Sequence, residues 1–170
     1  ELLAQLLDGP GQHQGHVGGA GRENGASIIA SDPCVTRAAK QCGLHLAPRG
    51  DAHDMGDSNP IATFGYVAQQ MKARGLAFLC ARESLGDNRI GPQLKKIFAG
   101  VYIANEGFTA ETAQQVLDAG EADAVAFGKT FIANPDLPQR FAISAALNEP
   151  KPDLFYAQGP AGYIDYPALS

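Results

Sequence analysis

"NPIATFGYVAQQMKARGLAFLC", residues 59–80, contains the pattern that decides the fold. Asn59 followed by Pro60 is typical of a helix start, because an Asn side chain caps free N–H groups and proline suits the first helical position. Apolar residues then recur at helical spacing, at Ile61, Phe64, Val67, Ala68 and Met71. The apolar segment 76–80 follows directly after Gly75. The stretch therefore predicts an amphipathic helix that leads into a buried strand.

The same helix-to-strand unit recurs further along the chain. "IGPQLKKIFAG" leads into "VYIAN", "TAETAQQVLDAG" leads into "DAVAFG", and the earlier segment "GLHLAP" supplies one more apolar strand. The predicted strands lie at 43–47, 75–80, 100–104 and 123–127. Apolar strands separated by helices are typical of βαβ units in a parallel sheet. The sequence thus predicts an α/β fold, either about four units of a (β/α)8 TIM barrel, a half barrel, or most of a small flavodoxin-like sheet.

Asn134-Pro135-Asp136 has the features of a further helix start. Asn134 is a suitable N-cap, proline suits the first helical position, and an acidic residue in the first turn complements the helix dipole. We predict that this motif has a structural role.

Charge and composition exclude several classes of partner. The 170 residues contain 13 Lys and Arg against 18 Asp and Glu, with no basic block, so we predict no nucleic-acid partner. No apolar run approaches the roughly 18 residues of a membrane span, so we predict no membrane partner. The three cysteines lack CxxC spacing, which favours a reducing, cytoplasmic compartment. The chain starts at Glu1 without Met, and we interpret it as the interior of a longer parent sequence, or as a processed or incomplete chain.

Residues 1–42 differ in character from residues 43–170, and we treat them as a separate, irregular segment. Residues 9–26, "GPGQHQGHVGGAGRENGA", are rich in glycine and have no periodicity, which is typical of a loop. His13 and His16 have HxxH spacing, but they lie among glycines. We therefore predict a solvated loop there and no metal site.

Candidate binding residues follow the third and fourth predicted strands, because ligands of parallel α/β folds bind at the carboxyl ends of strands. Asn105, Glu106 and Gly107 come after one strand, and Gly128 and Lys129 come after the next. A short loop before a helix presents free N–H groups to an anion, glycine allows close approach, and lysine adds a charge. Spacing alone leaves two interpretations, a phosphate site or structural turns.

"DAVAFGKTFIANPDLPQRF", followed by "FY" and "GYIDYPAL", resembles the C-terminal segment of the Old Yellow Enzyme family, the FMN-dependent ene-reductases. "LAPRGDAHDMGDSNP" and "YIANEGFTAETA" are similar to segments of bacterial alkene reductases of this family. The resemblance extends from about residue 43 to residue 170 and is looser before that. It implies a single FMN-binding (β/α)8 barrel, of which this chain covers about the second half, strands five to eight.

The resemblance also implies roles for individual residues. It assigns the flavin phosphate to the loops after strands seven and eight, here Asn105, Glu106, Gly107, Gly128 and Lys129. The family's Phe-Gly-Arg is Phe-Gly-Lys here, which exchanges a bidentate guanidinium for a single ammonium group.

Two more positions match residues that the family places near the flavin ring or the substrate. His45 stands where the family has an arginine that approaches the flavin ring, although its alternation with Leu44 and Leu46 also fits a buried, hydrogen-bonded core histidine. Tyr156, in "LFYAQG", matches a family tyrosine that lines the substrate pocket.

The resemblance implies an NAD(P)H-dependent oxidoreductase in which FMN passes hydride to the β-carbon of an activated alkene. It places the family's His and Asn, which bind the substrate oxygen, before residue 1, so we assign no catalytic residue and leave open whether this chain alone is an enzyme. One hypothesis is the flavin-phosphate half of an ene-reductase, completed by a complementary half-barrel chain or by self-association. The alternative is a non-catalytic half-barrel remnant that binds a phosphate ligand or a protein partner.

Overall fold

A computed structural model describes residues 39–49 and 56–169. The strands in these ranges are β1 (Gly43–Leu46), β2 (Phe78–Arg82), β3 (Val101–Asn105) and β4 (Ala124–Ala126). The helices are α1 (Pro60–Ala73), α2 (Gly91–Phe98), α3 (Ala110–Asp118), α4 (Lys129–Ala133) and α5 (Leu137–Ala142), followed by a 3-10 turn at Pro152–Leu154. Each of these helices is too short or too polar to cross a bilayer. The glycine-rich loop with His13 and His16 lies outside the described residues.

The four strands form one parallel sheet in the order β1-β2-β3-β4. Each strand lies beside the next strand of the chain, and β1 and β4 are the two edges of the sheet formed by the described residues. A flavodoxin-like sheet reverses its strand order at a switch point, whereas a barrel does not. The flavodoxin-like alternative is therefore wrong, and the sheet is an arc of consecutive β/α units.

The predicted strands are all present, but two of them end later than expected. β2 extends to Arg82 rather than residue 80, and β3 extends to Asn105 rather than residue 104. Arg82 pairs in register with Asn105, and the Glu83 N–H donates to the Asn105 carbonyl at 3.0 Å. The ladder of backbone hydrogen bonds thus continues beyond the apolar residues, because it does not depend on side-chain polarity.

The helices pack against one face of the sheet and enclose the hydrophobic core. Asn59 caps α1 as predicted, since its Oδ1 accepts from the Ala62 N–H at 3.3 Å. The core residues of the sheet lie in alternate positions and meet the apolar sides of the first three helices. They are Leu79, Ala81, Tyr102, Ala104 and Val125 from the strands, and Ala68, Leu94, Phe98, Ala113 and Val116 from the helices.

The opposite face of the sheet is the one that a barrel turns inward, and we call it the inner face. The strand registers bring its side chains into rows, because alternate residues of a strand point to the same face. One row contains His45, Cys80, Ile103 and Ala124, and the next row contains Arg82, Asn105 and Ala126. Val101, in the row below, keeps 48% of its surface exposed.

Glu83 connects the end of β2 to the start of α2. Its side chain is buried, and its two carboxylate oxygens accept from the backbone N–H groups of Ile90 and Gly91, both at 2.8 Å. Ile90 is the N-cap residue of α2 and has no side-chain cap of its own. Glu83 therefore satisfies helix N–H groups that burial would otherwise leave without partners.

We expect Glu83→Ala to lower the free energy of unfolding by about 2 kcal/mol, because two buried N–H groups lose their acceptor. Urea unfolding followed by circular dichroism measures this loss. Glu83→Gln is the matched control, since its amide oxygen keeps one acceptor, and it should lose less than the alanine variant. An alanine variant as stable as the wild type would contradict this role.

The prediction that Asn134 begins a helix is wrong. The chain forms the short helix α4 before it, and α5 begins only at Leu137 with Asp136 as its N-cap residue. Asn134 is fully buried; its Nδ2 donates to the Thr130 carbonyl at 2.9 Å and its Oδ1 accepts from the Asn148 N–H at 2.7 Å. The Asn134 amide therefore connects the chain after α5 to α4. Because its Oδ1 accepts from Asn148, it does not cap α5.

Arg140 of α5 holds the C-terminal segment in place. Its buried guanidinium donates to Asp136 Oδ1 at 2.6 Å and to the carbonyls of Ala146 at 2.5 Å and Pro167 at 2.9 Å. Asp136 Oδ2 accepts from the Leu169 N–H at 2.6 Å. The hydrogen bond from Arg140 is the main cause that lowers the pKa of Asp136 below its ordinary value.

Candidate functional site

The loops after β3 and β4 lie side by side at the carboxyl end of the sheet. Asn105 and Ala126 are register partners at the ends of these strands, and Asn105 Nδ2 donates to the Ala126 carbonyl at 2.9 Å. The hydrogen bond ties the two strand ends together. The sequence-predicted groups Asn105–Gly107 and Gly128–Lys129 are therefore neighbours in space.

The first loop bends sharply after Asn105. Glu106 and Gly107 both have left-handed backbones, with φ of 89° and 75°. Glycine adopts this conformation without strain, whereas Glu106 adopts it at a cost of about 1 kcal/mol or more. The space above Gly107 is open, since a Cβ atom there would meet nothing within 4 Å.

The second loop places a glycine and a lysine at the start of α4. The Gly128 carbonyl accepts from the Phe131 N–H at 2.9 Å, which closes the first turn of this short helix. A Cβ atom on Gly128 would also meet nothing within 4 Å. Lys129 is exposed and takes part in none of the ion pairs found among the described residues. The loop therefore offers open space beside a cationic side chain.

Arg82 and Glu106 form an ion pair across the ends of β2 and β3. Arg82 Nε lies 2.8 Å from Glu106 Oε2, and Arg82 Nη2 lies 3.2 Å from Oε1, so the pair is bidentate. The hydrogen bond that Arg82 donates to Glu106 raises the pKa of the guanidinium, which is charged at all ordinary pH values. Sequence reasoning did not assign Arg82 to the site. In the sequence, Arg82 is a charged residue that follows Phe78 and Cys80 at alternate positions and therefore shares their face of β2.

Tyr156 follows the 3-10 turn at Pro152–Leu154 and is 98% exposed. It makes the smallest contribution, after Glu106, to the raised pKa of the Arg82 guanidinium.

His45 lies apart from the two loops, and it is not a buried core residue. It is exposed on the inner face, because β1 is an edge strand of the described sheet and the described helices pack against the other face. The interpretation of His45 as a buried, hydrogen-bonded histidine is therefore wrong. Three strand spacings, about 14 Å, separate it from the β4 position in its row.

Cys80, the neighbour of His45 in that row, is buried, and burial raises the pKa of its thiol to about 11. Cys42, just before β1, is exposed. Since the thiolate is the reactive form, we expect iodoacetamide at pH 8 to modify Cys42 and leave Cys80 largely unmodified. Peptide mapping by mass spectrometry measures both rates. Modification of Cys80 as fast as Cys42 would contradict this arrangement.

No group of three or more His, Cys, Asp or Glu side chains in the part of the chain that the structure describes is arranged to hold a metal ion. The solvent-accessible charged side chains at the ends of β2, β3 and β4 include one guanidinium, one carboxylate and one ammonium group, on Arg82, Glu106 and Lys129, whereas the Glu83 carboxylate is buried against the start of α2. Such a set, with open space at two glycines, suits an anionic ligand.

Curated proteins with related sequences include reductases, one of which is named as dependent on flavin mononucleotide. The chain is 38% identical over 141 residues to "12-oxophytodienoate reductase 1" of Oryza sativa subsp. japonica, and the alignment covers 77% of this chain and 37% of the relative. It is 36% identical over 133 residues to "Probable flavin mononucleotide-dependent alkene reductase" of Leishmania infantum, covering 76% of this chain and 36% of the relative. No protein-family model matches the chain.

Solved structures show the same similarity in three dimensions. Morphinone reductase in complex with tetrahydroNAD is 43% identical, with a TM-score of 0.70 over 75% of this chain and 36% of that chain. The Old Yellow Enzyme homologue from Zymomonas mobilis is 38% identical, with a TM-score of 0.71 over 75% of this chain and 38% of that chain. This chain spans less than half the length of the curated relatives it matches.

Proposed function

Because the chain belongs to the Old Yellow Enzyme family and its sheet is an arc of that family's TIM barrel, we propose that it carries the flavin-phosphate half of an FMN-dependent, NAD(P)H-driven ene-reductase. The observation that carries this proposal is the pair of adjacent loops, Asn105–Gly107 and Gly128–Lys129, at the carboxyl ends of β3 and β4. Two neighbouring loops at this end of the last strands are where phosphate sites of such barrels form.

The groups in these loops fit a flavin phosphate. Gly107 and Gly128 leave open space in which a phosphate can approach the backbone N–H groups. Lys129 supplies an exposed ammonium group. In this proposal Asn105 acts mainly by holding the two loops together through the Ala126 carbonyl.

The other two candidate residues, His45 and Tyr156, are assigned to contacts away from the phosphate. His45 lies on the inner face and away from the phosphate loops, so we assign it to the flavin ring. Tyr156, which is exposed, is assigned to the wall of the substrate pocket. Both assignments fit an extended ligand that crosses the carboxyl end of the sheet.

When bound, FMN would supply the redox chemistry, namely transfer of reducing equivalents from NAD(P)H to the C=C bond of an activated alkene. The residues of this chain bind and orient the cofactor, and we assign no catalytic residue among them. The groups that bind the substrate oxygen come from the part of the barrel that precedes β1 in the family.

The open edges of β1 and β4 and the inner face support a proposal about assembly. Val101 is half exposed there, and unpaired edge strands promote association with further strands. We infer that the remaining half of the barrel comes from further polypeptide, from a complementary half-barrel chain, or from a second copy of this chain. A cytoplasmic location remains our expectation, consistent with the free thiols of Cys42 and Cys80.

Flavin uptake tests the proposal. The purified chain is incubated with FMN, passed through a desalting column, and examined for flavin absorbance in the protein fraction. We expect yellow protein with bound FMN. A colourless protein fraction at FMN concentrations well above micromolar would refute the proposal for this chain.

A second candidate function is the non-catalytic half-barrel that binds a phosphate ligand or a protein partner. Lys129 and His45 favour it, because both stand where the family has arginine and both weaken contacts with a flavin. NADPH oxidation in the presence of cyclohexenone separates the two candidates. Turnover by the chain alone would exclude the non-catalytic alternative, whereas a chain that binds phosphate but never FMN would support it.

A further inference from the structure

Glu106 raises a difficulty for an anion site, because it places a carboxylate in the middle of the loop that should face the phosphate. Its neighbour Gly107 contributes one of the two open backbone positions. A carboxylate next to a phosphate repels it, and the phosphate monoester carries nearly two negative charges at neutral pH. Either Glu106 weakens the site or another group cancels its charge.

We propose that Arg82 is the group that cancels this charge, so that Glu106 does not weaken FMN binding at the loops after β3 and β4. The inference rests on the proposed function and adds to it a specificity-determining residue outside the predicted site. With the pair intact, Lys129 gives the three side chains a net charge of +1. Without Arg82, Glu106 and Lys129 cancel each other and leave no net attraction for an anion.

The geometry of the pair suits this role. Arg82 is the last residue of β2 and lies in the inner-face row with Asn105, at the level of the two loops. Its Nε and Nη2 contact both oxygens of Glu106, at 2.8 Å and 3.2 Å, which leaves three of its five N–H donors for other partners. The side chains are 57% and 34% exposed, so a ligand can reach them.

The left-handed backbone of Glu106 supports a role beyond the stability of the loop. A φ of 89° strains any residue other than glycine, so a loop built only for stability has no use for a glutamate at this position. An exposed ion pair contributes little to stability on its own. The pair is therefore better explained by its effect on a ligand than by its effect on the fold.

A purely structural ion pair and a charge-compensating pair predict different signs for the same substitutions. If the pair only orders the loops, Arg82→Met and Glu106→Gln both weaken FMN binding. If Arg82 compensates the charge of Glu106, Arg82→Met weakens binding, Glu106→Gln strengthens it, and the double variant recovers at least wild-type affinity. Gln at position 106 has the same backbone requirement as Glu, so the substitution changes charge alone.

The test is a titration of the whole chain and these three variants with FMN and with riboflavin, followed by flavin fluorescence. We expect Arg82→Met to weaken FMN binding about tenfold and Glu106→Gln to strengthen it severalfold, with riboflavin affinity unchanged in all variants. The differences should shrink as NaCl is raised from 50 mM to 500 mM. Circular dichroism of each variant verifies that the fold is retained.

The other outcomes contradict either charge compensation by Arg82 or the proposed function. Loss of affinity in both single variants, or no change in either, overturns charge compensation while the proposed function stands. Equal losses for riboflavin and FMN overturn it too, because riboflavin has no phosphate. Absence of FMN binding by the wild-type chain overturns the proposed function, and charge compensation with it.

Discussion

Replacing Lys129 by Met is expected to weaken FMN binding by about tenfold or more and to leave riboflavin binding unchanged. Lys129 is exposed beside the open space at Gly128 and forms none of the ion pairs among the described residues. A hydrogen bond to a charged group contributes about 1.5–3 kcal/mol, and each 1.4 kcal/mol is a factor of ten in affinity. Methionine keeps the length and apolar stem of the side chain, so the loss reports the charge. Isothermal titration calorimetry with both flavins measures it.

Lys129→Arg is the matched control for this prediction. Arginine carries the same charge as lysine, but its planar guanidinium can contact a phosphate with two parallel hydrogen bonds. We expect the arginine variant to bind FMN at least as tightly as the wild type. If the methionine variant bound FMN with wild-type affinity, the assignment of the phosphate to the loop at Gly128 would be wrong.

Arg140→Met is expected to lower the free energy of unfolding by about 3 kcal/mol, the largest stability loss that we predict for a single substitution. The buried guanidinium has three partners, namely Asp136 and the carbonyls of Ala146 and Pro167. Methionine removes a donor from all three groups; the Pro167 carbonyl keeps Asn148 Nδ2 and the Asp136 carboxylate keeps the Leu169 N–H, but the carboxylate loses its cationic partner. Urea unfolding monitored by circular dichroism gives the free energy, and limited proteolysis reports release of the C-terminal segment.

Two control variants distinguish the effect of the three hydrogen bonds of Arg140 from the effects of its charge and of an Arg-to-Met substitution in general. Arg140→Lys keeps the charge but cannot reach three acceptors in different directions, so we expect an intermediate loss. Arg74 is exposed, and the side-chain hydrogen bonds found for it among the described residues go to Gln70, so Arg74→Met should change stability by less than about 0.5 kcal/mol. An Arg140→Met variant that unfolds like Arg74→Met would contradict the anchoring role.

The sequence predicted the β/α units well because each carried its own local signal. Asn59 and Pro60 marked the start of α1, and the apolar segments at 76–80 and 123–127 marked buried strands. Parallel order followed from the helices between the strands. The choice between a barrel arc and a flavodoxin-like sheet required strand neighbours, which hydrophobic patterns do not encode, and the observed order β1-β2-β3-β4 decided it.

The features that the sequence did not reveal depend on contacts between distant residues. Arg82 and Glu106 are 24 positions apart, and their ion pair follows from the register of β2 and β3. Asn134 carried a helix-start signal, but partners at Asn148 and Thr130 bind its amide. His45 looked like a core residue because its neighbours are leucines, yet the edge position of β1 leaves it exposed. Local patterns cannot anticipate such tertiary contacts.

The contribution of the phosphate to flavin affinity tests the central claim most directly. The wild-type chain is titrated with FMN and with riboflavin under the same conditions, and the two dissociation constants are compared. If the loops at Asn105–Gly107 and Gly128–Lys129 bind the phosphate, FMN should bind at least about tenfold more tightly than riboflavin. Equal affinities for the two flavins, or no binding of either, would contradict the claim that this chain is the flavin-phosphate half of an ene-reductase.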